Sequence, residues 1–172
     1  MIIGVDNPGR NDVRQLLEEH LADMFATSPP ESVHALDFAA LQHPDLTFWT
    51  AREHGMLLGC GAVLELSACS GEIKSMRTAS TARCRGVAAQ ILQTIIGEAQ
   101  ARGYTSLVLE TGTQDFFAPA HRLYARHGFL PCPPFGSYGE DPNSFYLCLA
   151  LDGSSVRCGA GFGPEPGSSG GG

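Results

Sequence analysis

A short run of small and basic residues, Arg83-Cys84-Arg85-Gly86-Val87-Ala88, stands directly before a stretch with helical periodicity. Apolar residues recur at Val87, Ile91 and Ile95, so a helix is predicted to begin right after Gly86. The first turn of a helix has N–H groups without intrahelical partners and the positive end of the macrodipole. Since Gly86 has no Cβ and two arginines add charge, the pattern predicts a phosphate or pyrophosphate site. An ordinary strand-to-helix turn explains the glycine equally well.

Four other residues near this loop or beside an apolar stripe have acid–base or nucleophilic side chains. Glu72 and Glu110 fall on two predicted strands on either side of the helix, and either carboxylate could accept a proton directly or through water. Each is equally explained as a solvated or ion-paired carboxylate. His20 is a further candidate base, although a packed or rim position is more typical of a histidine beside apolar residues. Cys84 has no evident base partner, so we interpret it as a reduced bystander.

Two polar segments are candidates for a substrate pocket. Residues 28–34 follow a predicted helix and combine prolines with serines, a glutamate and a histidine. We take Glu31 and His34 as the candidate substrate contacts in this segment, and residues 135–143 as a second wall. A surface loop between two helices would have the same composition, so both interpretations stay open.

The elements that position these residues follow from periodicity. Rows of apolar residues such as Val13, Leu17 and Leu21 predict a helix over residues 13–24, and a short second helix is predicted over residues 36–41. Strands are predicted at residues 1–5, 46–52, 56–66 and 71–77, and the last three form an antiparallel meander. Gly59 and Gly61 predict a bulge or a close approach by another backbone within the third strand.

The second half of the chain continues this alternation of helix and strand. The helix after Gly86 ends at Gly103, and residues 105–110 read as a buried strand, so residues 71–110 form a right-handed crossover between parallel strands. A further helix lies within residues 116–129, with Pro119 near its start. A final strand over residues 145–151 is predicted to pair with the preceding strand as a hairpin. Residues 153–172 include eight glycines, which predicts a flexible tail after a domain of residues 1–152.

Composition limits the classes of partner. The 172 residues carry a formal charge of −7 at pH 7, which disfavours binding to nucleic acid or to an anionic membrane surface and mildly favours a cationic substrate. No apolar run is long enough to span a bilayer, and the N-terminus does not resemble a signal peptide, so we expect a cytoplasmic protein. The six cysteines form no C-x-x-C pair, and no metal site is predicted.

Two of these segments together resemble the GNAT acetyltransferase superfamily. Residues 83–88 resemble its Q/R-x-x-G-x-G/A loop, which holds the pyrophosphate of acetyl-CoA. Farther along the chain, Ala120-His121-Arg122-Leu123-Tyr124-Ala125-Arg126-His127-Gly128-Phe129 resembles the A-x-x-L-Y-x-x-x-G-F element of many members. The resemblance spans about residues 1–151. It implies a single α/β (α+β) domain with a mixed, mostly antiparallel twisted sheet of six to seven strands flanked by about four helices.

The resemblance also implies an activity and roles for residues. The expected reaction is transfer of an acetyl group from acetyl-CoA to a primary amine of a small molecule, amino acid or peptide. Tyr124 is the expected acid for the departing thiolate, and Glu72 the preferred base. One departure is that Phe117 stands where many members have an asparagine that contacts the pantetheine arm. The expected acetyl-CoA contacts are Met76, Arg77, Thr78, Arg83, Cys84, Arg85, Gly86, Val87 and Ala88.

Two other classes of function remain to be weighed against this one. A non-catalytic acyl-CoA-binding or sensory module would have the same fold, but it would need no proton donor such as Tyr124. A nucleotide-binding domain would need a G-x-x-x-x-G-K-S/T or G-x-G-x-x-G pattern, which the chain lacks. The sequence identifies neither the acceptor nor the oligomeric state, and a homodimer is one option.

Overall fold

The computed structural model describes residues 1–33 and 38–153. Three α-helices are present in these residues: α1 (Asn11–Thr27), α2 (Val87–Ala101) and α3 (Ala118–Arg126). Seven strands accompany them: β1 (Ile2–Val5), β2 (Leu46–Glu53), β3 (Met56–Ser67), β4 (Ser70–Thr78), β5 (Ser106–Gly112), β6 (Leu130–Pro131) and β7 (Ser144–Ala150). Short 3-10 helices occur at Pro30–Ser32, Ala40–Gln42, Ser80–Ala82 and Asp115–Phe117.

All seven strands form one sheet in the order β1-β2-β3-β4-β5-β7-β6. Every neighbouring pair is antiparallel except β4 and β5, which are joined through α2 and run parallel. This confirms the predicted mixed, mostly antiparallel sheet, the meander of β2, β3 and β4, and the parallel crossover. The two-residue strand β6 was not predicted.

The parallel pair β4–β5 separates partway along its length. Pairing covers only Ser70 to Ile73 of β4 and Ser106 to Leu109 of β5, although both strands continue for several residues. Beyond Ile73, β4 stays paired with β3, while β5 stays paired with β7. The sheet therefore opens into a gap between β4 and β5.

A bulge in β4 lies at the beginning of this gap. Cys60 pairs with Arg77 and Ala62 pairs with Lys74, so β4 has one more residue than β3 between these pairs. Ser75 accommodates the extra residue with φ of 55°, a left-handed conformation that is uncommon for a non-glycine residue. The bulge turns the end of β4 relative to its start.

Buried side chains form a separate cluster on each face of the sheet. Successive residues of a strand point to opposite faces, so Phe48 and Trp49 of β2 belong to different clusters. Phe48 packs in the cluster that contains Val13 and Leu16 of α1, whereas Trp49 belongs to the larger cluster that contains Ile91 of α2. The helices α1 and α2 thus cover opposite faces.

Two predictions about the elements are modified by the structure, and a third is not tested by it. Of the helix predicted over residues 36–41, residues 36–37 lie outside the described part of the chain, and the later residues join a 3-10 helix, Ala40–Gln42. β7 pairs antiparallel with β5 but is not its hairpin partner, because α3 and β6 lie between them. The predicted tail lies outside the described residues beyond Gly153.

Within the described residues, no helix has the length and apolar character needed to cross a membrane. The same part of the chain contains no group of three or more His, Cys, Asp or Glu residues arranged to hold a metal ion.

The glycines of β3 permit close packing of β4 and α2, as predicted. A Cβ added at Gly59 would lie 2.7 Å from the backbone oxygen of Arg77 and 2.9 Å from Cγ1 of Val87. Gly97, in the exposed part of α2, has no atom within 4 Å of such a Cβ.

We therefore expect opposite effects from the same substitution at these two glycines. Gly59→Ala should lower the free energy of unfolding by about 1–3 kcal/mol, because backbone atoms must move. Gly97→Ala should raise it by about 0.5–1 kcal/mol, because alanine loses less entropy in a helix. Urea unfolding of both variants measures the difference. Equal stability of Gly59→Ala and the unmodified protein would contradict this account of the packing.

Candidate active site

The N-terminus of α2 has the features of an anion site. Gly86 is the N-cap residue with φ of 76°, and no side chain caps the helix. Cys84 is also left-handed, with φ of 61°, so two residues of the loop have a conformation that L side chains rarely adopt. The first amides of α2 are therefore left to a ligand, and the helix dipole favours a negative one.

A cavity of about 540 Å³ begins at this helix end and runs between β4, α2 and α3; we call it the helix-end cavity. Eight of the nine residues predicted to contact acetyl-CoA line it: Met76, Arg77, Thr78, Arg83, Cys84, Gly86, Val87 and Ala88. The ninth, Arg85, points away, because its Nη2 lies 2.6 Å from Oε2 of Glu53 in an exposed ion pair. The structure thus brings most of the predicted set together.

Two arginines that the sequence analysis missed also line the helix-end cavity. Arg122 and Arg126 are four residues apart on α3, so both face the cavity. Neither these two nor Arg83 forms an ion pair with any described residue, although the protein is acidic as a whole. In the sequence, the i, i+4 spacing of these two arginines on either side of Tyr124 could have indicated that they share a helix face with the site. Together the three guanidinium groups favour a ligand with several negative charges.

A second, smaller cavity of about 220 Å³ lies on the α1 side of the gap between β4 and β5; we call it the gap cavity. Its walls are mostly apolar, and they include Leu17, Leu21, Met24, Phe38, Leu41 and Ile73. Three carboxylates, those of Glu18, Glu72 and Glu110, also line it and outnumber its one ammonium group, that of Lys74, which is paired with Glu72. This combination suits a small ligand with an apolar body and a positive charge.

The two cavities share part of their walls. Five residues line both of them: His20, Met76, Phe117, Ala120 and Tyr124. Tyr124 is 5% exposed, and burial raises the pKa of its hydroxyl above the usual value. It therefore stays protonated at neutral pH. Phe117, at the position where the family often has asparagine, provides only an apolar ring to this shared wall.

Glu72 is held in the gap cavity by two donors. Nζ of Lys74 donates to its Oε1 at 2.8 Å, and the hydroxyl of Tyr138 donates to the same oxygen at 2.7 Å. Burial, and then this hydrogen bond, raise the pKa of Tyr138, so its hydroxyl remains a donor. No described residue donates to Oε2 of Glu72. Sequence reasoning identified Glu72 but not Tyr138, which is brought to it from 66 residues away.

His20 belongs to a buried polar group between α1 and β4. Burial, and then the positive charge of Arg77, lower the pKa of His20 to about 4. The negative charge of Asp23 acts to raise this pKa but has the smaller effect. Arg77 forms an ion pair with Asp23, and its Nε is buried without a hydrogen-bond partner among the described residues. The imidazole is therefore neutral near pH 7.

A chain of hydrogen-bonded polar side chains from three loops lies beside the gap cavity. Oγ of Ser28 lies 3.1 Å from Oε1 of Gln114, whose Nε2 lies 3.3 Å from Oδ1 of Asn143. Nδ2 of Asn143 lies 3.3 Å from Oγ of Ser32. The segments predicted to form a pocket do meet here, and Ser28, Ser32 and Tyr138 line the cavity.

The two residues named as candidate substrate contacts are placed differently. Glu31 is exposed and is not among the described residues that line the gap cavity. Ser32, its neighbour, is 6% exposed and faces the cavity instead. His34 lies outside the described residues, so its predicted contact remains a prediction.

Comparison with known proteins agrees with this geometry. The model of the acetyltransferase (GNAT) family matches residues 13–129. The uncharacterized N-acetyltransferase YsnE of Bacillus subtilis is 50% identical over 151 residues, which cover 88% of this chain and all of that protein. The IAA acetyltransferase of Azospirillum brasilense is 38% identical over 149 residues, covering 84% of this chain and 94% of that protein.

Solved structures share the fold. An acyl-CoA N-acyltransferase from Klebsiella pneumoniae aligns with a TM-score of 0.75 and 24% identity over 87% of this chain and 97% of its own. A GNAT family acetyltransferase from Elizabethkingia anophelis with acetyl-CoA bound aligns with a TM-score of 0.63 and 18% identity over 87% and 97% of the two chains. Since the family model matches most of the chain and near full-length relatives are named acetyltransferases, this chain belongs to the GNAT family and is an acyltransferase.

Proposed function

We propose that the protein transfers an acetyl group from acetyl-CoA to the primary amine of a small molecule by direct attack. The observation that carries this proposal is the wall shared by the two cavities. One cavity has helix amides and three arginines that form no ion pair with a described residue, which suit a polyanionic donor, and the other has an excess of carboxylates, which suits a cationic acceptor. Tyr124 lies between them, where the thioester and the amine would meet.

The helix-end cavity supports binding of acetyl-CoA. We assign the pyrophosphate to the amides that begin α2, next to Gly86 and Arg83, because this helix end has no side-chain cap among the described residues. Arg122 and Arg126 are positioned for further negative charge on the donor, such as a phosphate monoester. The bound acetyl-CoA in the related fold from Elizabethkingia anophelis is consistent with this choice of donor.

The edge of β4 supports a position for the pantetheine arm. After Ile73, no described strand pairs with β4 on its β5 side, so the backbone of Met76 to Thr78 borders the gap. An extended amide-containing chain can hydrogen-bond to such an edge as an added strand. This arrangement would direct the thioester toward the shared wall.

The gap cavity supports a small acceptor. Its volume of about 220 Å³ lies below the roughly 300–1,000 Å³ of sites for drug-sized ligands. The apolar walls favour an acceptor with an aliphatic or aromatic body, and the carboxylates favour an ammonium group. Glu72 is the candidate base, since its Oε2 can accept a proton from the amine directly or through water.

The reaction then follows in two steps. The neutral amine attacks the thioester carbonyl carbon, a C–N bond forms, and the proton from nitrogen passes to Glu72. The C–S bond breaks as the carbonyl re-forms, and the departing thiolate takes a proton from the hydroxyl of Tyr124. The proton held by Glu72 then returns to the Tyr124 phenolate through water, so both groups regain their starting protonation states. The general test is a CoA-release screen across small amines and peptides, with mass spectrometry to locate the acetyl group.

Two substitutions of Gly86 should distinguish the effect of a negative charge on acetyl-CoA binding from the effect of backbone strain. Gly86→Glu places a carboxylate beside the amides of α2 and should abolish acetyl-CoA binding in calorimetry. Gly86→Asn is the matched control, because asparagine tolerates the left-handed conformation and carries no charge. We expect the control to keep most of the affinity. If Gly86→Glu binds acetyl-CoA normally, the site is elsewhere.

Tyr124→Phe should lower kcat by roughly 10- to 1,000-fold with an identified acceptor, because the ring is kept and the proton donor is lost. Acetyl-CoA affinity should be unchanged. Tyr104→Phe is the matched control: its hydroxyl is 2.7 Å from Oε2 of Glu65, and it lines neither cavity. The control should retain kcat. Full activity of Tyr124→Phe would make Tyr124 a packing residue only.

Glu72→Gln and Glu110→Gln should distinguish the two candidate bases. We expect Glu72→Gln to reduce kcat/KM for the acceptor by roughly 100- to 10,000-fold, since the proton acceptor is lost, and to leave acetyl-CoA binding intact. Glu110→Gln should have a much smaller effect. Steady-state kinetics over a range of pH measures both. The reverse order of effects would assign the base to Glu110.

A further inference from the structure

The loop between β6 and β7 brings Tyr138 onto the face of the sheet that carries Glu72. In the register of the sheet, Glu72 lies opposite Val108, and Glu110, two residues farther along β5, lies opposite Tyr146 of β7. Side chains at aligned positions share a face, so Glu72, Glu110 and Tyr146 point to the same side. The loop covers this side, and the hydroxyl of Tyr138 donates to Oε1 of Glu72 at 2.7 Å.

The ring of Tyr138 is fixed by contacts within its own loop and with β7. Its ring centroid lies 5.2 Å from that of Phe135 and 5.7 Å from that of Tyr146, separations at which aromatic pairs attract. The amide of Tyr138 donates to the carbonyl of Phe135 at 3.1 Å, and the hydroxyl of Tyr146 donates to the carbonyl of Gly139 at 2.8 Å. The loop therefore presents the hydroxyl of Tyr138 at one place without the help of a ligand.

One oxygen of the Glu72 carboxylate is fully used by donors. Oε1 accepts from the hydroxyl of Tyr138 at 2.7 Å and from Nζ of Lys74 at 2.8 Å. The same Nζ donates to the hydroxyl oxygen of Tyr138 at 2.9 Å. A carboxylate oxygen has two lone-pair sites, and these two donors occupy both of them. The three side chains form a closed ring of hydrogen bonds, which holds the carboxylate in one orientation.

The other oxygen of Glu72, Oε2, is open to the gap cavity. It accepts no hydrogen bond from a residue in the described part of the chain. The fully buried polar side-chain atoms without a partner in that part are Nδ1 of His20, Nε of Arg77 and Oγ of Ser144, and Oε2 of Glu72 is not among them. Oε2 therefore keeps accessible surface. Of the two cavities, Glu72 lines only the gap cavity, so this surface faces that cavity.

We propose that Tyr138 is a positioning residue for acetyl transfer: with Lys74 it holds one oxygen of Glu72, so that the other oxygen is directed at the amine of the acceptor. The proton lost by the amine arrives on Oε2, while Oε1 keeps both donors as the carboxylate becomes a carboxylic acid. Burial, and then its hydrogen bond to Glu72, raise the pKa of Tyr138, so its hydroxyl stays a donor at neutral pH. This inference rests on the proposed function, in which Glu72 is the base.

The first test is a crystal structure of the full chain with Tyr138→Phe, compared with one of the unmodified protein. The substitution keeps the aromatic ring and removes only the hydroxyl. We expect one orientation of the Glu72 carboxylate in the unmodified protein. In Tyr138→Phe the carboxylate should rotate or occupy two orientations, because Oε1 keeps only the donor from Lys74. An unmoved carboxylate in Tyr138→Phe would overturn the proposal.

Tyr104→Phe is the matched control for this substitution. The hydroxyl of Tyr104 donates to Oε2 of Glu65 at 2.7 Å, the same kind of bond at the same length, and neither residue lines a cavity. We expect the Glu72 carboxylate to keep its orientation in this control and kcat to be retained.

A double-mutant cycle shows whether Tyr138 acts through Glu72. With the amine that the CoA-release screen identifies, Tyr138→Phe should lower kcat by roughly 10- to 100-fold, as for a misplaced reacting group, and leave the KM of acetyl-CoA nearly unchanged. Combining it with Glu72→Gln should lose no more activity than Glu72→Gln alone, because no base remains to be positioned. A purely structural role would make the two losses additive. Additive losses, or full kcat in Tyr138→Phe, would contradict the positioning role.

Failure of the proposed function would give a different result. If the unmodified protein releases no CoA with any amine or peptide of the screen, acetyl transfer is contradicted and the role of Tyr138 in it is lost, whatever the orientation of Glu72. If the unmodified protein transfers acetyl groups and Tyr138→Phe is equally active, the function stands and only the role of Tyr138 is contradicted.

Discussion

The early end of pairing between β4 and β5 is the constraint on which the rest of the site depends. After Ile73 the two strands keep their outer partners, β3 and β7, so the middle of the sheet has a gap whose backbone edge pairs with no other strand in the described part of the chain. The bulge at Ser75 begins this separation, and the crossover through α2 places a helix N-terminus at its end. Because the sheet does not close, both cavities border the gap, and a ligand with amide groups can complete the hydrogen bonding of β4.

Burial determines the protonation of the groups at the junction of the cavities. Burial raises the pKa of Tyr124 and lowers the pKa of His20, because the charged form of each side chain is poorly solvated there. Both are therefore neutral hydrogen-bond donors at pH 7. Apart from the Arg77–Asp23 ion pair beside His20, the charged groups lie on the two sides of this junction, with arginines in the helix-end cavity and carboxylates in the gap cavity. This separation allows a polyanionic donor and a cationic acceptor to approach from two sides of an acidic protein.

Features that depend on short stretches of sequence, such as helix starts and strand order, were predicted. Side-chain partners that are distant in the sequence were not. The start of α2 after Gly86, the meander and the parallel crossover follow from periodicity and turn residues over short stretches. The pairing of Arg85 with Glu53, and of Glu72 with Tyr138, joins residues 32 and 66 positions apart. No local pattern indicates such partners. The polar segment at residues 28–34 was interpreted as either a pocket wall or a surface loop. A 3-10 turn at Pro30–Ser32 directs Ser32 inward and leaves Glu31 in solvent, and the composition of the segment does not distinguish these two positions.

The central claim is that acetyl-CoA occupies the helix-end cavity with its acetyl group at the wall shared with the gap cavity. A crystal structure of the complex with acetyl-CoA tests this most directly. We expect the pyrophosphate within hydrogen-bond distance of the amides of Val87 and Ala88, the pantetheine beside Met76 to Thr78, and the thioester in contact with His20 and Tyr124. A complex with the pyrophosphate away from the start of α2, or with the acetyl group outside the shared wall, would contradict this account.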